Sequence, residues 1–121
     1  MSRWAMFLAY RAGEHVGGAI AAFQSPAVDL LEGRNDLVVV WDIRVAPAVT
    51  RTGVGSALLA EIEAWARNRQ CCELKVETQN TNVAACKFYR NRGFSLVAAN
   101  HGVYPDLPEE IQFIWRKRVA I

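Results

Sequence analysis

The run from Leu37 to Val45 alternates as an extended chain does. Leu37, Val39, Trp41, Ile43 and Val45 share one side, and Val38, Val40, Asp42 and Arg44 share the other. A strand apolar on one face and nearly so on the other belongs in the interior of a sheet, and Pro47 ends it. Two more apolar runs, residues 3–10 and 16–23, flank a short loop containing Gly13 and predict a β-hairpin. Residues 24–36, with Pro26 and Gly33, read as a loop.

The period then changes. Val54, Leu58, Ile62 and Trp65 recur at spacings of 4, 4 and 3, which predicts an amphipathic helix over residues 53–69. Cys72, Leu74 and Val76 alternate with Glu73, Lys75 and Glu77 in a strand over 72–78. A second helix is predicted over 82–92, with Gly93 suited to a left-handed C-terminal cap. Strands follow at 94–99 and 110–119, separated by a loop with Pro105 and Pro108. The strand–helix–strand unit from Leu37 to Thr78 predicts a parallel crossover, and the flanking hairpins make the sheet mixed.

Length and composition fit one domain over residues 1–121, apolar enough at 52% to bury a core without staples. No apolar run reaches the ~18–20 residues of a membrane span. The N-terminal stretch carries Arg11 and no small-residue cleavage site, so a cytoplasmic protein is expected. A net charge of +2 with scattered arginines gives no basic face for nucleic acid. Three cysteines and two histidines do not make a zinc site, so no metal is expected. Cys72 and Cys86 sit in apolar patterns and read as buried thiols.

The loop Val45-Ala-Pro-Ala-Val-Thr-Arg-Thr-Gly53-Val-Gly55-Ser56 joins a strand to an amphipathic helix. The first helical turn offers unpaired N–H groups at the positive end of the dipole, and the glycines let a bulky anion approach. The loop lacks the Gly-Lys-Ser/Thr of a nucleotide P-loop and the third glycine of a dinucleotide fingerprint. By itself the pair of glycines fits a tight turn without a ligand equally well. A second constellation, Asn82-Val-Ala-Ala85-Cys-Lys-Phe88-Tyr89-Arg-Asn-Arg-Gly93-Phe94, lies downstream.

Together the two resemble the GNAT acetyltransferase superfamily, best over residues 37–94. The resemblance implies an α/β fold with a mixed, mostly antiparallel sheet around a central parallel β-α-β unit. It implies acetyl-CoA as co-substrate, an Asn touching the pantetheine arm and a Tyr protonating the departing thiolate, at Asn82 and Tyr89. The coenzyme-binding residues would be Ile43, Arg44, Val45, Arg51, Thr52, Gly53, Val54, Gly55, Ser56, Asn82, Ala85, Phe88 and Tyr89. Residues 77–89 and 110–115 resemble the streptothricin acetyltransferase branch, which acetylates an amine of a cationic antibiotic and so points to antibiotic resistance.

Three departures stand out. Thr50 occupies the position where the family's phosphate loop usually has Arg or Gln. Asn100 replaces an Asp four residues before Tyr104. The chain also starts at what would be the family's second strand, without the usual first strand and first two helices. Those helices wall the acceptor site, so a homodimer in which a partner replaces them is expected, with the apolar strand 3–10 otherwise an exposed edge.

Each role has a plainer alternative. Tyr89 is a general acid or a core tyrosine with a wet hydroxyl. Asn82 caps a helix, contacts coenzyme, or both. Asp42 and Glu77 are candidate bases or cation holders, or partners of Arg44 and Lys75 in ordinary ion pairs. Tyr104 is a candidate lining residue of the acceptor pocket. Trp4, Trp41, Trp65 and Trp115 read as core or interface, and Trp41 is also a candidate to flank the substrate, though its strand phase favours the core. The function these residues favour is direct acetyl transfer to an amine of a small cationic acceptor. A non-catalytic acyl-CoA-binding domain and an interaction module remain alternatives.

Overall fold

A computed structural model describes residues 3–25, 28–49 and 52–119. Strands β1 (Arg3–Arg11) and β2 (Glu14–Phe23) form the hairpin, and β3 (Leu37–Val45) leads to helix α1 (Val54–Asn68). Strand β4 (Glu73–Gln79), helix α2 (Val83–Asn91) and strands β5 (Ser95–His101) and β6 (Ile111–Arg118) complete the order. The sheet runs β1-β2-β3-β4-β6-β5. Among the described strands β3 and β4 are parallel and the other pairs antiparallel. The mixed α/β sheet with a central parallel unit is as expected. Two short 3-10 turns, Asp29–Leu31 and Pro47–Val49, lie inside segments that read as plain loop. No helix among the described residues is long and apolar enough to cross a membrane.

Both helices lie on one face of the sheet. Val54, Leu58, Leu59, Ile62 and Ala66 of α1, with Tyr89 and Phe94 from α2 and its exit, pack on Val16, Ala19, Ala21, Val38, Val40, Leu74, Val76 and Trp115. The opposite face divides in two. Its lower part, Ala22, Leu37 and Val39, is covered by Val28 and Leu31 of the β2–β3 connection. An ion-pair ladder fastens that connection across the sheet. Lys75 Nζ, nearly buried, donates to the Leu30 carbonyl at 2.9 Å and to Glu32 at 3.1 Å. Arg116 bridges Glu32 and Glu73, and Arg34 bridges Glu73 and Asp36. Charges that read as solvated surface are therefore partly structural, and loss of Glu32 would strand an ammonium in a nearly closed site. The upper part of this face is uncovered. Trp4, Met6, Leu8, Tyr10 and Trp41 are all exposed on it.

The alternation of β3 is broken. Ala21 of β2 pairs with Val40 and Ile20 pairs with Asp42, so Trp41 is the extra residue of a β-bulge. Ile43 and Val45 consequently face the helices with Val38 and Val40, and not the side of Leu37 and Val39. Trp41 is 54% exposed, which corrects its expected place in the core. The thiols need a similar correction. Cys71 is the buried one and Cys72 and Cys86 are half-buried. The chain leaves α1 through a turn in which Gln70 N–H donates to the Arg67 carbonyl and Cys71 N–H to the Ala66 carbonyl, and this tucks Cys71 under the helix. Burial, with the charge of Asp36, pushes its thiol up to about 11, so it is inert.

That turn puts Gln70 at φ 59°, a left-handed conformation that glycine adopts at less cost. Gln70→Gly is expected to raise unfolding free energy by about 1 kcal/mol, read as a higher urea midpoint with an unchanged slope.

Candidate active site

The site begins where β3 and β4 separate. Their pairing spans Leu37–Glu73, Val38–Leu74 and Val39–Lys75, after which β3 continues to Val45 and β4 to Gln79. Above Val39 the inner edge of β3 is not hydrogen-bonded to its parallel neighbour, while its outer edge stays paired with β2 as far as Val45. Backbone N–H and C=O groups of residues 41–45 thus line a wedge-shaped opening.

The β3–α1 connection closes one end of this wedge. Ala46 N–H donates to the Val16 carbonyl at 2.7 Å, and the Pro47–Val49 turn brings Thr52 back, its N–H and hydroxyl both donating to the Val49 carbonyl. Gly53 is the N-cap of α1 at φ 91°, with no side-chain hydrogen bond to the helix end. The leading N–H groups of Val54, Gly55 and Ser56 are therefore uncapped by side chains and available to an anion. The two glycines do different things. Gly53 supplies the left-handed turn, with open space about it. At Gly55 a Cβ would come within 3.1 Å of the Phe88 ring, so its lack of a side chain lets α2 dock against the start of α1. Thr50 and Arg51 lie outside the described residues.

The same docking delivers a cation that the sequence did not single out. Arg92, at the C-cap of α2, donates through Nε to Ser56 Oγ at 2.8 Å and through Nη2 to the same oxygen. Its guanidinium lies 4.7 Å over the Phe88 ring. A positive charge thus stands beside the first turn of α1. Arg11, at the hairpin tip, donates to the Thr52 carbonyl on the other side of the loop. A cavity of about 610 Å³ lies there, between β1 and the start of α1.

Helix α2 runs below the opening. Asn82 is its N-cap, accepting from Ala85 N–H at 3.1 Å, so the capping role is present and the amide NH₂ is left for another acceptor. Ala85 and Phe88 pack into the helix-side core. At the other end Phe94 N–H donates to the Tyr89 carbonyl and Gly93 N–H to the Arg90 carbonyl, with Gly93 at φ 92°. The Tyr89 and Phe94 rings meet edge-on at 5.2 Å. Tyr89 is thus held by its own helix end, with its ring 6% exposed. No buried side-chain polar atom among the described residues lacks a partner, and none of them hydrogen-bonds the Tyr89 hydroxyl, so the hydroxyl tip reaches open space. Burial pushes this phenol up to about 12, with the charge of Asp42 adding to the effect.

On the open face, Glu77 and Gln79 of β4 line a cavity of about 160 Å³ with Leu30, Val39, Val40 and Trp41. The Tyr104 hydroxyl donates to Glu77 Oε2. Its phenol is raised by desolvation and by this bond to the carboxylate. Asp42 pairs with Arg44 at 2.9 Å, the ordinary ion pair, and lines a second cavity of about 380 Å³. The Arg44 side chain is 84% exposed on this face, so only its backbone adjoins the opening. Glu77 is not paired with Lys75, which is committed to Glu32. Asn100 bonds Gln112 at the outer strands. No group of His, Cys, Asp or Glu that could hold a metal ion is found among the described residues.

This geometry has known counterparts. The model of the Acetyltransferase (GNAT) family matches residues 2–94, and the chain belongs to that family. It is 36% identical over 83 residues to streptothricin acetyltransferase A of Bacillus subtilis (strain 168), covering 67% of this chain and 48% of the relative. It is also 36% identical over 86 residues to aminoglycoside N(6')-acetyltransferase type 1 of Klebsiella aerogenes, covering 71% and 55%. The chain thus spans about half the length of these curated relatives. The crystal structure of nourseothricin acetyltransferase superposes with a TM-score of 0.82 at 28% identity, over 96% of this chain and 65% of that one. A proposed streptothricin acetyltransferase from Bacillus anthracis str. Ames, solved with acetyl coenzyme A, gives 0.81 and 28% over 93% and 61%.

The raised phenol of Tyr89 makes stability depend on alkaline pH. Below its ordinary value of 10.0 both folded and unfolded states keep the proton. As pH rises from there to about 12 the unfolded state loses it first, and stability falls. Urea midpoints measured across this range are expected to fall less steeply for Tyr89→Phe than for the unmodified protein.

Proposed function

We propose that this protein is an N-acetyltransferase that moves the acetyl group of acetyl-CoA directly to an amine of a small cationic acceptor. The observation that carries the proposal is the parting of β3 and β4 above Val39, with the uncapped start of α1 and Tyr89 both on the helix side of the sheet. The coenzyme pyrophosphate would take the N–H groups of Val54, Gly55 and Ser56 and the Arg92 guanidinium. Arg92 supplies the positive charge that Thr50 does not. The pantetheine amides would pair with the free backbone edge of Ile43, Arg44 and Val45 and with the Asn82 amide.

Acetyl transfer needs a neutral amine, a stabilised oxyanion and a proton for the leaving thiolate. The deprotonated amine attacks the thioester carbonyl, and its lone pair forms the new C–N bond. The carbonyl oxygen takes up charge against N–H groups of the β3 edge. Collapse breaks the C–S bond, Tyr89 passes its proton to the departing sulfur, and the second proton of the new ammonium nitrogen is lost through water to restore the tyrosine phenol and leave a neutral amide. A phenol at about 12 is fully protonated at neutral pH, as a proton donor must be. The thiolate leaves into the same water-poor site, where its own proton affinity rises. The acceptor would enter from the open face, where Glu77, oriented by Tyr104, and Asp42 hold a cation and take up its proton. Similarity to acetyltransferases named for streptothricin and aminoglycosides supports such an acceptor and a role in antibiotic resistance. Pairing of two copies is supported by the exposed Trp4, Met6, Leu8 and Tyr10 on edge strand β1. Light scattering tests it, with a monomeric mass as the contrary result.

Calorimetric titration is expected to show acetyl-CoA binding in the micromolar range, on the order of −8 kcal/mol. Absence of binding would overturn the proposal. Tyr89→Phe is expected to lower kcat about 10²-fold while leaving that affinity near normal, and an unchanged rate would exclude Tyr89 as the acid. Arg92→Ala is expected to weaken acetyl-CoA binding about tenfold, the loss of one charge-assisted contact, read in the same titration.

A further inference from the structure

The bulge in β3 puts two consecutive residues, Trp41 and Asp42, on the open face of the sheet. A regular strand would have turned one of them into the core. Trp41 lies just past the last β3–β4 pair and lines, with Glu77 and Gln79 of β4, the cavity of about 160 Å³. Its ring is braced edge-on by Trp4, with centroids 5.5 Å apart at 84°. This contact leaves indole surface uncovered, and the residue is 54% exposed. Glu77, whose carboxylate accepts a hydrogen bond from Tyr104, lines the same cavity. An exposed aromatic residue and an oriented carboxylate lining one cavity is the chemistry that selects an organic cation. The carboxylate meets the charge and the indole meets its face. The strand that supplies Trp41 to one wall also supplies the backbone edge of the opening, so a cation held there lies next to the site of transfer.

We infer that Trp41 is a specificity-determining residue that stacks on a cationic group of the acceptor, opposite Glu77. This rests on the transferase reading of the same site. Bulges next to active sites re-aim side chains in this way, and Trp4 acts as the positioning residue behind Trp41. Neither side chain belongs to the buried core, so their replacement leaves the fold intact.

The test uses streptothricin as the cationic probe and reads binding and turnover separately. Calorimetry of streptothricin with the intact protein and its variants is expected to show Trp41→Ala weakened about tenfold, the scale of a partly desolvated cation–aromatic contact. Trp41→Phe should recover most of that loss, and Trp4→Ala should fall between the two. Acetyl-CoA affinity should stay unchanged in all three, and in turnover the effect should appear in the acceptor KM and not in kcat. Equal streptothricin affinity in the unmodified protein and Trp41→Ala, or no binding by either, overturns the inference. Binding that depends on Trp41 without any acetyl transfer upholds the inference while sinking the transferase reading. Transfer with a KM indifferent to Trp41 does the reverse.

Discussion

The parting of β3 from β4 is the constraint on which the rest of the molecule depends. Parallel strands normally stay paired, because unpaired backbone groups are costly when shut away from water. Here pairing stops after Val39, and two features lie beside the parting. The bulge at Trp41 changes the course of β3 while its other edge stays registered with β2. On the helix side α2 packs against the start of α1, its Phe88 ring seated where Gly55 has no side chain. The backbone groups of upper β3 are thus left for a ligand by the architecture and not by local disorder.

The two halves of the open sheet face follow from the same division. Below the branch point the strands are paired and their outer face is roofed by the β2–β3 connection, pinned by Lys75, Glu32, Arg116, Glu73 and Arg34. Above it no described segment roofs the sheet, and the residues there are mostly aromatic, apolar or acidic, with Arg44 paired to Asp42. The ion-pair ladder reads best as a structural fastening, because each carboxylate in it is already matched by a cation. Glu77 is different. It sits one step along the same strand face, past the last rung, and its described partner is a tyrosine hydroxyl.

Much of this was legible in the sequence. Each predicted strand and helix is present, because periodicity is a local property and the breakers Gly13, Pro47 and Gly93 stand at the ends of elements. The glycine loop at the start of α1 and the α2 segment were legible for the same reason, being contiguous. What escaped is non-local. The bulge depends on how β2 registers against β3, and nothing within residues 37–45 announces it. Strand phase alone therefore favours the core for Trp41 over a place beside the substrate, and puts Ile43 and Val45 on the wrong side. Arg92 looked like scattered charge because its reach to Ser56 exists only once the helices dock. Tyr104 and Glu77, far apart in the chain, meet through the β5–β6 loop. Cys71 is buried by a helix-ending turn built on Gln70, a residue type that rarely signals one.

The sheet also works as a partition. In the proposed reading the coenzyme lies along the edge and helix side of the opening, while the amine arrives from the uncovered face beyond Trp41 and Glu77. Two reactants using separate doors need not wait for one another, and the acetylated product need not pass the spent coenzyme on its way out. A catalyst built this way keeps its donor chemistry fixed while the outer wall is free to diverge toward new acceptors. The point where β3 stops pairing with β4, just past Val39, would then mark the border between the fixed trade and the changeable clientele.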